Sequence, residues 1–289
     1  MLSPNQFTFV QYRSARYPEG FEPALTEVAA HFDRESIDVP GPYSLHTEYS
    51  YGRRKFDTAR ISAYPELASA HRAGVPRLWF SDAWANEFAR FVIDIAAPHG
   101  APSVIEVHPP FADYCSLGQF ASRLGAFSAS VCETFPQTEI VVENRAGTTY
   151  KGGVFLVGTA REIAATCSAI RSTGTRAGIV LDFPQLLTAE GIDPLAFDRE
   201  RYDEAISVLE PHRDLIAGVH IWGKRRNRSG RPAAHAGDLE SYFDSDANAK
   251  GAFISGIERI CSDGRVRYFV PEVNSGTADL VSIIGDLFG

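Results

Sequence analysis

The stretch Glu139–Gly147, EIVVENRAG, carries the pattern on which the fold assignment rests. Its first half is a short run rich in Val and Ile and apolar on both faces, as a strand must be when it is covered on both sides. Its second half becomes polar from Glu143 onward. We therefore predict a buried parallel strand over Glu139–Glu143 that ends on a carboxylate.

The same pattern recurs along the chain, and amphipathic stretches separate most of the runs. The other predicted strands are Phe7–Tyr12, Tyr43–Tyr49, Val104–His108, Ala177–Asp182, Ile216–Ile221 and Arg267–Glu272. The predicted helices are Glu22–Phe32, Asn86–Ala97, Leu117–Glu133, Ala160–Arg171, Arg199–Glu210, Ala252–Ser262 and Ala278–Phe288. This alternation is typical of βα units around a parallel sheet.

The fold class that follows is α/β, a TIM (β/α) barrel with seven recognisable strands. The chain has 289 residues, which suits one large domain over residues 1–289. An eighth strand is either hidden in the long irregular insertion around residues 50–85, or the barrel is incomplete. Loops of that length are usually functional.

Composition excludes several classes of protein. Hydrophobic residues make up 44% and charged residues 22%, so neither disorder nor a coiled coil is expected. No run approaches 18 apolar residues, and the N-terminus lacks the basic and apolar parts of a signal peptide. The four cysteines are far apart and favour buried thiols in a reducing, cytoplasmic compartment. The net charge of −8 excludes a generally basic nucleic-acid binder, but not a local basic surface.

Metal-type ligands stand near the C-terminal ends of the predicted strands. They are His46, His108, Glu143, Asp182, His220 and Glu272, and His235 follows in a loop. In a TIM barrel these strand ends converge on one mouth, where active sites lie. A lone His at a strand end is more often a packed or hydrogen-bonded residue than a ligand. Seven such residues in phase with the strand ends favour a metal site.

The residue types indicate which ions such a site would hold. Imidazole nitrogen together with carboxylate oxygen suits zinc above all, with manganese or iron as alternatives. Several carboxylates share an apolar mouth only when cations balance their charge. We therefore expect divalent metal ions as cofactors.

The ligands sit in an ordered series of short words that resembles the xylose-isomerase-like superfamily. Within it the sequence is most similar to the endonuclease IV family (AP endonuclease family 2), metal-dependent apurinic/apyrimidinic endonucleases. The words are His46-Thr47-Glu48-Tyr49, Val107-His108-Pro109, Val142–Gly147 (VENRAG), Leu181-Asp182, Val219-His220, His235 and Pro271–Asn274 (PEVN). The resemblance covers roughly residues 7–275. It implies that Glu143 bridges two metals and that Tyr49 lines a DNA pocket.

Two departures from the family bear on the number of metals. Gln185 stands where the family has a His ligand, and Ala233 stands where it has an Asp. Both losses would fall on a third metal. The resemblance therefore implies two: one held by His46, His108 and Glu143, and one held by Glu143, Asp182, His220 and Glu272.

Basic loops follow several strand ends and predict contacts to phosphate. The segment 224–231 (KRRNRSGR) holds five cations, and Arg13, Arg16 and Arg53 follow other strands. A cationic face on an acidic protein would attract a phosphate backbone, although such runs are also common on solvated surfaces. The predicted substrate-binding residues are Tyr49, Arg13, Arg16, Arg53, Gln185, Trp222, Lys224, Arg225 and Arg226.

Four functions remain open at this stage. The first is a two-metal phosphodiesterase acting on DNA at abasic sites, in which Glu143 bridges the metals and Glu272 is a ligand and proton acceptor. The second is a sugar or sugar phosphate isomerase or epimerase with one metal. The third is a metal-dependent oxidative tailoring enzyme, and the fourth is a non-catalytic binding protein. The expected partner is accordingly DNA or a phosphorylated sugar, with no membrane and no obligate protein partner.

Overall fold

Eight parallel strands close into a barrel in the computed structural model of the chain, and this confirms the predicted α/β TIM-barrel fold class. The structure describes residues 1–48, 59–72, 77–147, 153–226 and 232–289, except the side chains of residues 71, 72, 226 and 232. The barrel strands are β1 (Phe7–Gln11), β2 (Leu25–Ala30), β3 (Tyr43–Thr47), β4 (Val104–Val107), β5 (Glu139–Glu143), β6 (Gly178–Asp182), β7 (Ile216–Ile221) and β10 (Arg267–Pro271). They follow the chain order around the barrel, and β10 pairs with β1 to close it. A short antiparallel hairpin of β8 (Lys224–Arg226) and β9 (Pro232–Ala234) follows β7.

Helices surround the barrel from β3 onward. They are α1 (Ala59–Ser62), α2 (Pro65–Arg72), α3 (Asp82–Ala96), α4 (Leu117–Thr134), α5 (Ala160–Thr173), α6 (Phe183–Ala189), α7 (Arg199–Leu209), α8 (Leu239–Tyr242), α9 (Ala247–Cys261) and α10 (Thr277–Phe288). Short 3-10 turns cover Pro4–Gln6, Ala97–His99, Pro194–Ala196 and Glu210–Leu215. The helices α4 and α5 begin at the predicted residues, Leu117 and Ala160, and Ser116 and Thr159 form capping boxes there. Among the described residues, no helix combines the length and hydropathy needed to cross a membrane.

The eighth strand corrects the sequence-based assignment. It is β2, Leu25–Ala30, which lies inside the segment Glu22–Phe32 that was predicted to be a helix. The apolar residues Leu25, Val28 and Phe32 have a spacing that fits a helical face. In the barrel, however, Leu25 packs inside while Val28 and Phe32 pack outside against the helices. Because both faces of this strand are covered, its apolar residues carry no clean period of two.

The segment around residues 50–85, predicted to be irregular, is partly helical. Its described part contains α1, α2 and the first turn of α3. Residues 49–58 and 73–76 lie outside the described residues.

Two apolar layers position the functional end of the barrel. Inside, one residue from each of six strands fills the lower part: Val10, Leu25, Val104, Val141, Val180 and Val270. Outside, a continuous core packs the strands against the helices. Filling the lower barrel with aliphatic side chains leaves the next inward positions, toward the C-terminal strand ends, for the polar residues described below.

Candidate metal centre

The inward side chains at the C-terminal end of the barrel are His and carboxylate residues from six consecutive strands. They are Glu27 on β2, His46 on β3, Glu106 on β4 with His108 just after it, Glu143 on β5, Asp182 on β6 and His220 on β7. Glu272 directly follows β10. Successive side chains of a strand alternate between its faces, so Val104, Glu106 and His108 share the inner face of one strand. The result is a buried polar layer directly above the aliphatic one.

The first donor group consists of His46, Glu106, His108 and Glu143, and each offers one ligand atom within 4.8 Å of the others. His46 Nε2 lies 3.2 Å from His108 Nε2 and 3.4 Å from Glu106 Oε1. His108 Nε2 also contacts Glu143 Oε2 closely. The two imidazole rings are stacked, with centroids 4.9 Å apart.

The second donor group consists of Glu143, Asp182, His220 and Glu272, again within 4.8 Å of one another. His220 Nδ1 lies 3.5 Å from Glu272 Oε1 and 3.8 Å from Glu143 Oε1. All four side chains are buried. Glu143 is the one residue common to both groups, so its two oxygens face different clusters.

Asp182 is held in place by three neighbours. Trp222 Nε1 donates a hydrogen bond to Asp182 Oδ2 at 2.9 Å, and the backbone N–H of Gln185 donates to Oδ1 at 2.8 Å. The side chain of Asn144 bonds both the backbone N–H and the carbonyl of Asp182. The Gln185 side chain in turn accepts from the backbone N–H of Ala146 at 3.1 Å. Gln185 therefore ties the segment after β5 to the start of α6 and does not line the cavity.

Two effects set the pKa values of the clustered side chains: burial, which disfavours every charged form, and the charges of neighbouring groups. Burial disfavours the His46 imidazolium, but Glu106 and Glu27 outweigh it and raise the pKa of His46 to about 10. For His108 burial dominates over Glu143 and lowers the pKa to about 4. Burial and the neighbouring Glu143 raise the pKa of Asp182 well above its usual range. Burial by itself would raise the pKa of Glu272, but His220 and His235 outweigh it, so this pKa lies well below its usual value.

The donor set fits divalent cations. Glu106 Oε1, both ring nitrogens of His220 and Glu272 Oε2 are buried atoms that make no aligned hydrogen bond with the described residues. Leaving buried polar atoms unpaired is costly, and coordination to a metal removes that cost. Imidazole nitrogens mixed with carboxylate oxygens are the ligands of zinc, manganese and iron sites. Buried His and Glu clusters that can hold metal ions are therefore present among the described residues.

His235 lies beside the second donor group, not within it. Its Nδ1 is 3.2 Å from Glu272 Oε2, and its ring packs on Trp222 with centroids 4.6 Å apart. Its backbone is in the left-handed region, with φ of 57°. The backbone N–H of Asn274 donates to its carbonyl at 2.7 Å, which ties the hairpin region to the end of β10.

A cavity of about 340 Å³ opens onto the clusters. Its lining includes Glu27, His46, Glu272 and His235 together with Tyr12, His31 and three arginines, Arg13, Arg34 and Arg145. Glu27 Oε1 lies 3.0 Å from His46 Nδ1, which is within the distance of a hydrogen bond or an ion pair. The lining of the cavity thus combines carboxylate and imidazole groups with guanidinium groups.

The predicted substrate-binding cations lie at different places in the structure. Arg13 lines the cavity, whereas the Arg16 side chain is exposed and lines no part of it. Arg225 is paired with Asp279 at 2.7 Å, and Lys224 lies over the Trp222 ring. Both line a separate cleft of about 470 Å³ beside Tyr242. Tyr49, Arg53 and the side chain of Arg226 lie outside the described residues.

Sequence reasoning missed several residues that the structure brings to this site, among them Glu106, Glu27, Arg34 and Arg145. The signal for Glu106 was present, because it stands two residues before His108 on the same strand face. Glu27 was hidden by the helical assignment of its strand. Arg34 belongs to the loop after β2, so the same error concealed it.

Comparison with known proteins places the fold. No family model and no curated protein matches the chain. Among solved structures, an AP endonuclease, family 2, from Brucella melitensis is 9% identical with a TM-score of 0.51, covering 98% of this chain and 99% of that one. The probable 3-DHS dehydratase AsbF of Bacillus anthracis is 10% identical with a TM-score of 0.45, covering 85% and 76% of the two chains. A sugar phosphate isomerase/epimerase from Parabacteroides distasonis is 11% identical with a TM-score of 0.40, covering 85% and 84%.

The likeness to the first of these structures, over nearly the whole of both chains, shows a shared fold and so agrees with the resemblance seen in the sequence at the level of the fold alone. At identities this low, structural similarity shows the fold only, and the chemistry depends on the residues of the site.

Proposed function

We propose that this protein is a metal-dependent enzyme that hydrolyses phosphoesters at a centre of two divalent cations, zinc first among them. The observation that carries the proposal is that two buried groups of four donors share Glu143. A carboxylate common to two adjacent positions is the arrangement expected of a two-metal site. A single-metal enzyme has no need of the first group.

The residues of the clusters have distinct roles under this proposal. His46, His108 and Glu143 would hold the first ion, and Glu143, Asp182, His220 and Glu272 would hold the second. When bound, the ions supply Lewis acidity, which activates water and neutralises charge on the reacting phosphate. Glu272 Oε2 lies at the cavity 3.2 Å from His235 Nδ1, so this pair is placed to take up and pass on a proton.

The arginines around the cavity support an anionic substrate. Arg145 lies 3.5 Å from Glu143 Oε1, and Arg13 and Arg34 also line the cavity. Guanidinium groups bind phosphate through paired hydrogen bonds. DNA containing an abasic site is the first phosphoester that we propose as substrate, because the sequence words resemble those of endonuclease IV.

One observation favours a second candidate, a sugar or sugar phosphate isomerase. The second donor group is complete in itself, with one imidazole and three carboxylates. Such a set can hold one cation and polarise a hydroxy-carbonyl substrate without the first group. The two candidates therefore differ in what they require of His46 and His108.

The test exploits that difference. We would measure metal content after purification without chelator, then assay hydrolysis of bis(p-nitrophenyl) phosphate and of an oligonucleotide with one abasic site, with and without His108→Ala. The proposal expects two ions per chain, and a loss of hydrolysis of about 100-fold or more in the variant, since losing even an outer partner of a metal ligand costs up to about 100-fold. The matched control is Glu139→Gln, at the opposite end of β5, which should hydrolyse as the parent does.

Other outcomes decide against the proposal. One ion per chain, no hydrolysis of either ester and interconversion of a phosphorylated aldose and ketose would establish the isomerase. Iron as the resident metal, with oxygen consumption, would establish oxidative chemistry instead.

A further inference from the structure

We propose that Glu106 is both the fourth ligand of the first metal position and the residue that orients His220 toward the second. This inference rests on the two-metal centre proposed above. It concerns a side chain that the endonuclease-like sequence words do not include.

Glu106 lies between the two donor groups. It sits on the inner face of β4 and is 3% exposed. Its Oε1 is 3.4 Å from His46 Nε2, and its Oε2 is 3.1 Å from His220 Nε2. One carboxylate therefore spans the gap between a histidine of the first group and a histidine of the second.

Its Oε1 has the position of a ligand. It is buried and makes no hydrogen bond with the described residues, although it lies among His46, His108 and Glu143. A carboxylate oxygen withdrawn from water needs a donor or a cation to offset its desolvation. With Glu106 the first group offers two nitrogens and two oxygens, a complete tetrahedral set for zinc.

Its Oε2 acts on the second position through His220. The Nδ1 of that ring faces Glu272 at 3.5 Å and Glu143 at 3.8 Å, while Nε2 faces Glu106. A carboxylate beside Nε2 stabilises the tautomer that carries its proton there, which leaves the Nδ1 lone pair directed at the second donor group. Glu106 is thus a positioning residue for the second metal as well as a ligand for the first.

Two substitutions separate these roles. Glu106→Gln keeps an oxygen that can face His220 Nε2 but removes the charge from the first position. Glu106→Leu removes both. We would titrate metal-free protein with Zn²⁺ alone by calorimetry, and with Co²⁺ alone by visible absorption, using Glu139→Gln as the control because it is a carboxylate on the inner face of a barrel strand far from the clusters.

The parent and Glu139→Gln should each bind two ions, and the two proteins should have the same affinities. Glu106→Gln should lower the affinity for one ion by about 10-fold or more and leave the affinity for the other within about 3-fold of the parent. Glu106→Leu should lower both affinities, that of the second position by about 10- to 100-fold, which is the usual effect of losing a hydrogen-bond partner of a ligand. Circular dichroism checks that each variant is folded. If Glu106→Leu does not fold, Glu106→Gln still tests the ligand role.

Two results would overturn the inference. Two ions bound by Glu106→Gln with the parent's affinities would show that Glu106 is no ligand, and a Glu106→Leu variant that weakens only one ion would remove the positioning role. Fewer than two ions in the parent would instead overturn the two-metal proposal itself, and that result is read before any substitution is made.

Discussion

At the scale of the residue, Asp182 shows how a proposed metal ligand is held in position by its neighbours. Both of its oxygens accept hydrogen bonds, one from Trp222 Nε1 and one from the backbone of Gln185. Each oxygen keeps a second lone pair, and the bonds fix where those lone pairs point. Substituting a hydrogen-bond partner of a metal ligand typically lowers metal affinity or activity by about 10- to 100-fold.

Trp222→Phe tests that role. The change removes the 2.9 Å bond to Asp182 while keeping an aromatic ring, so we expect metal affinity at the second position to fall by about 10-fold. Trp84→Phe is the matched control, because Trp84 is equally buried and its Nε1 has no hydrogen-bond partner among the described residues. Zinc titration of both variants decides the matter. Equal affinities in the two would show that the indole bond does not position Asp182.

At the scale of the element, the β8–β9 hairpin and the turn after it bring His235 to the site. This requires a close approach of backbones just after β7. A Cβ on Gly223 would lie 2.5 Å from the carbonyl oxygen of Asp238 and 2.6 Å from that of Gly237. These are backbone atoms, so they cannot rotate away as the end of a side chain could.

Gly223→Ala should therefore displace the turn that carries His235. We expect a loss of about 1–3 kcal/mol in the free energy of unfolding, the usual cost of overpacking, together with lower activity. Gly251→Ala is the control, because a Cβ there meets no atom within 4 Å and Ala favours the helix. It should leave stability unchanged or raise it by up to about 1 kcal/mol. Denaturant unfolding of both variants measures this, and equal stability of the two would refute the close-packing argument.

At the scale of the whole molecule, the barrel concentrates negative charge at one end. Glu27, Glu106, Glu143, Asp182 and Glu272 all converge there, with His46, His108 and His220 among them. Buried carboxylates repel one another unless protons or cations neutralise them. The metal-free barrel is thus expected to be less stable than the loaded one.

Removal of the metal should lower the melting temperature. Each ion present at 100 times its dissociation constant contributes about 2.7 kcal/mol, and about 2–4 °C of melting temperature accompanies each kcal/mol in a domain of this kind. Two ions therefore predict a fall of about 10 °C or more in excess chelator, measured by calorimetry. Glu143→Gln should respond far less, since it removes the shared ligand. A parent protein that melts at the same temperature with and without chelator would contradict a metal-loaded mouth.

Much of this protein follows from its sequence alone, because the signals are local. Short apolar runs bounded by polar residues marked seven of the eight barrel strands, and the predicted helix starts at Leu117 and Ala160 agree with the structure. His46, His108, Glu143, Asp182, His220 and Glu272 were recognisable because each stands near a strand end. Parallel strands in a barrel bring such residues together whatever their separation along the chain.

Only the tertiary structure decided the remainder. Leu25–Ala30 is a strand because the barrel must close and both of its faces are buried there, whereas its apolar spacing suits a helix equally well. Glu106 belongs to the site because it lies 3.1 Å from His220, a residue 114 positions away, and no local pattern encodes that distance. Arg225 was expected over the mouth, but a carboxylate on α10, Asp279, holds it elsewhere. Local patterns specify elements, and packing between elements specifies which side chains meet.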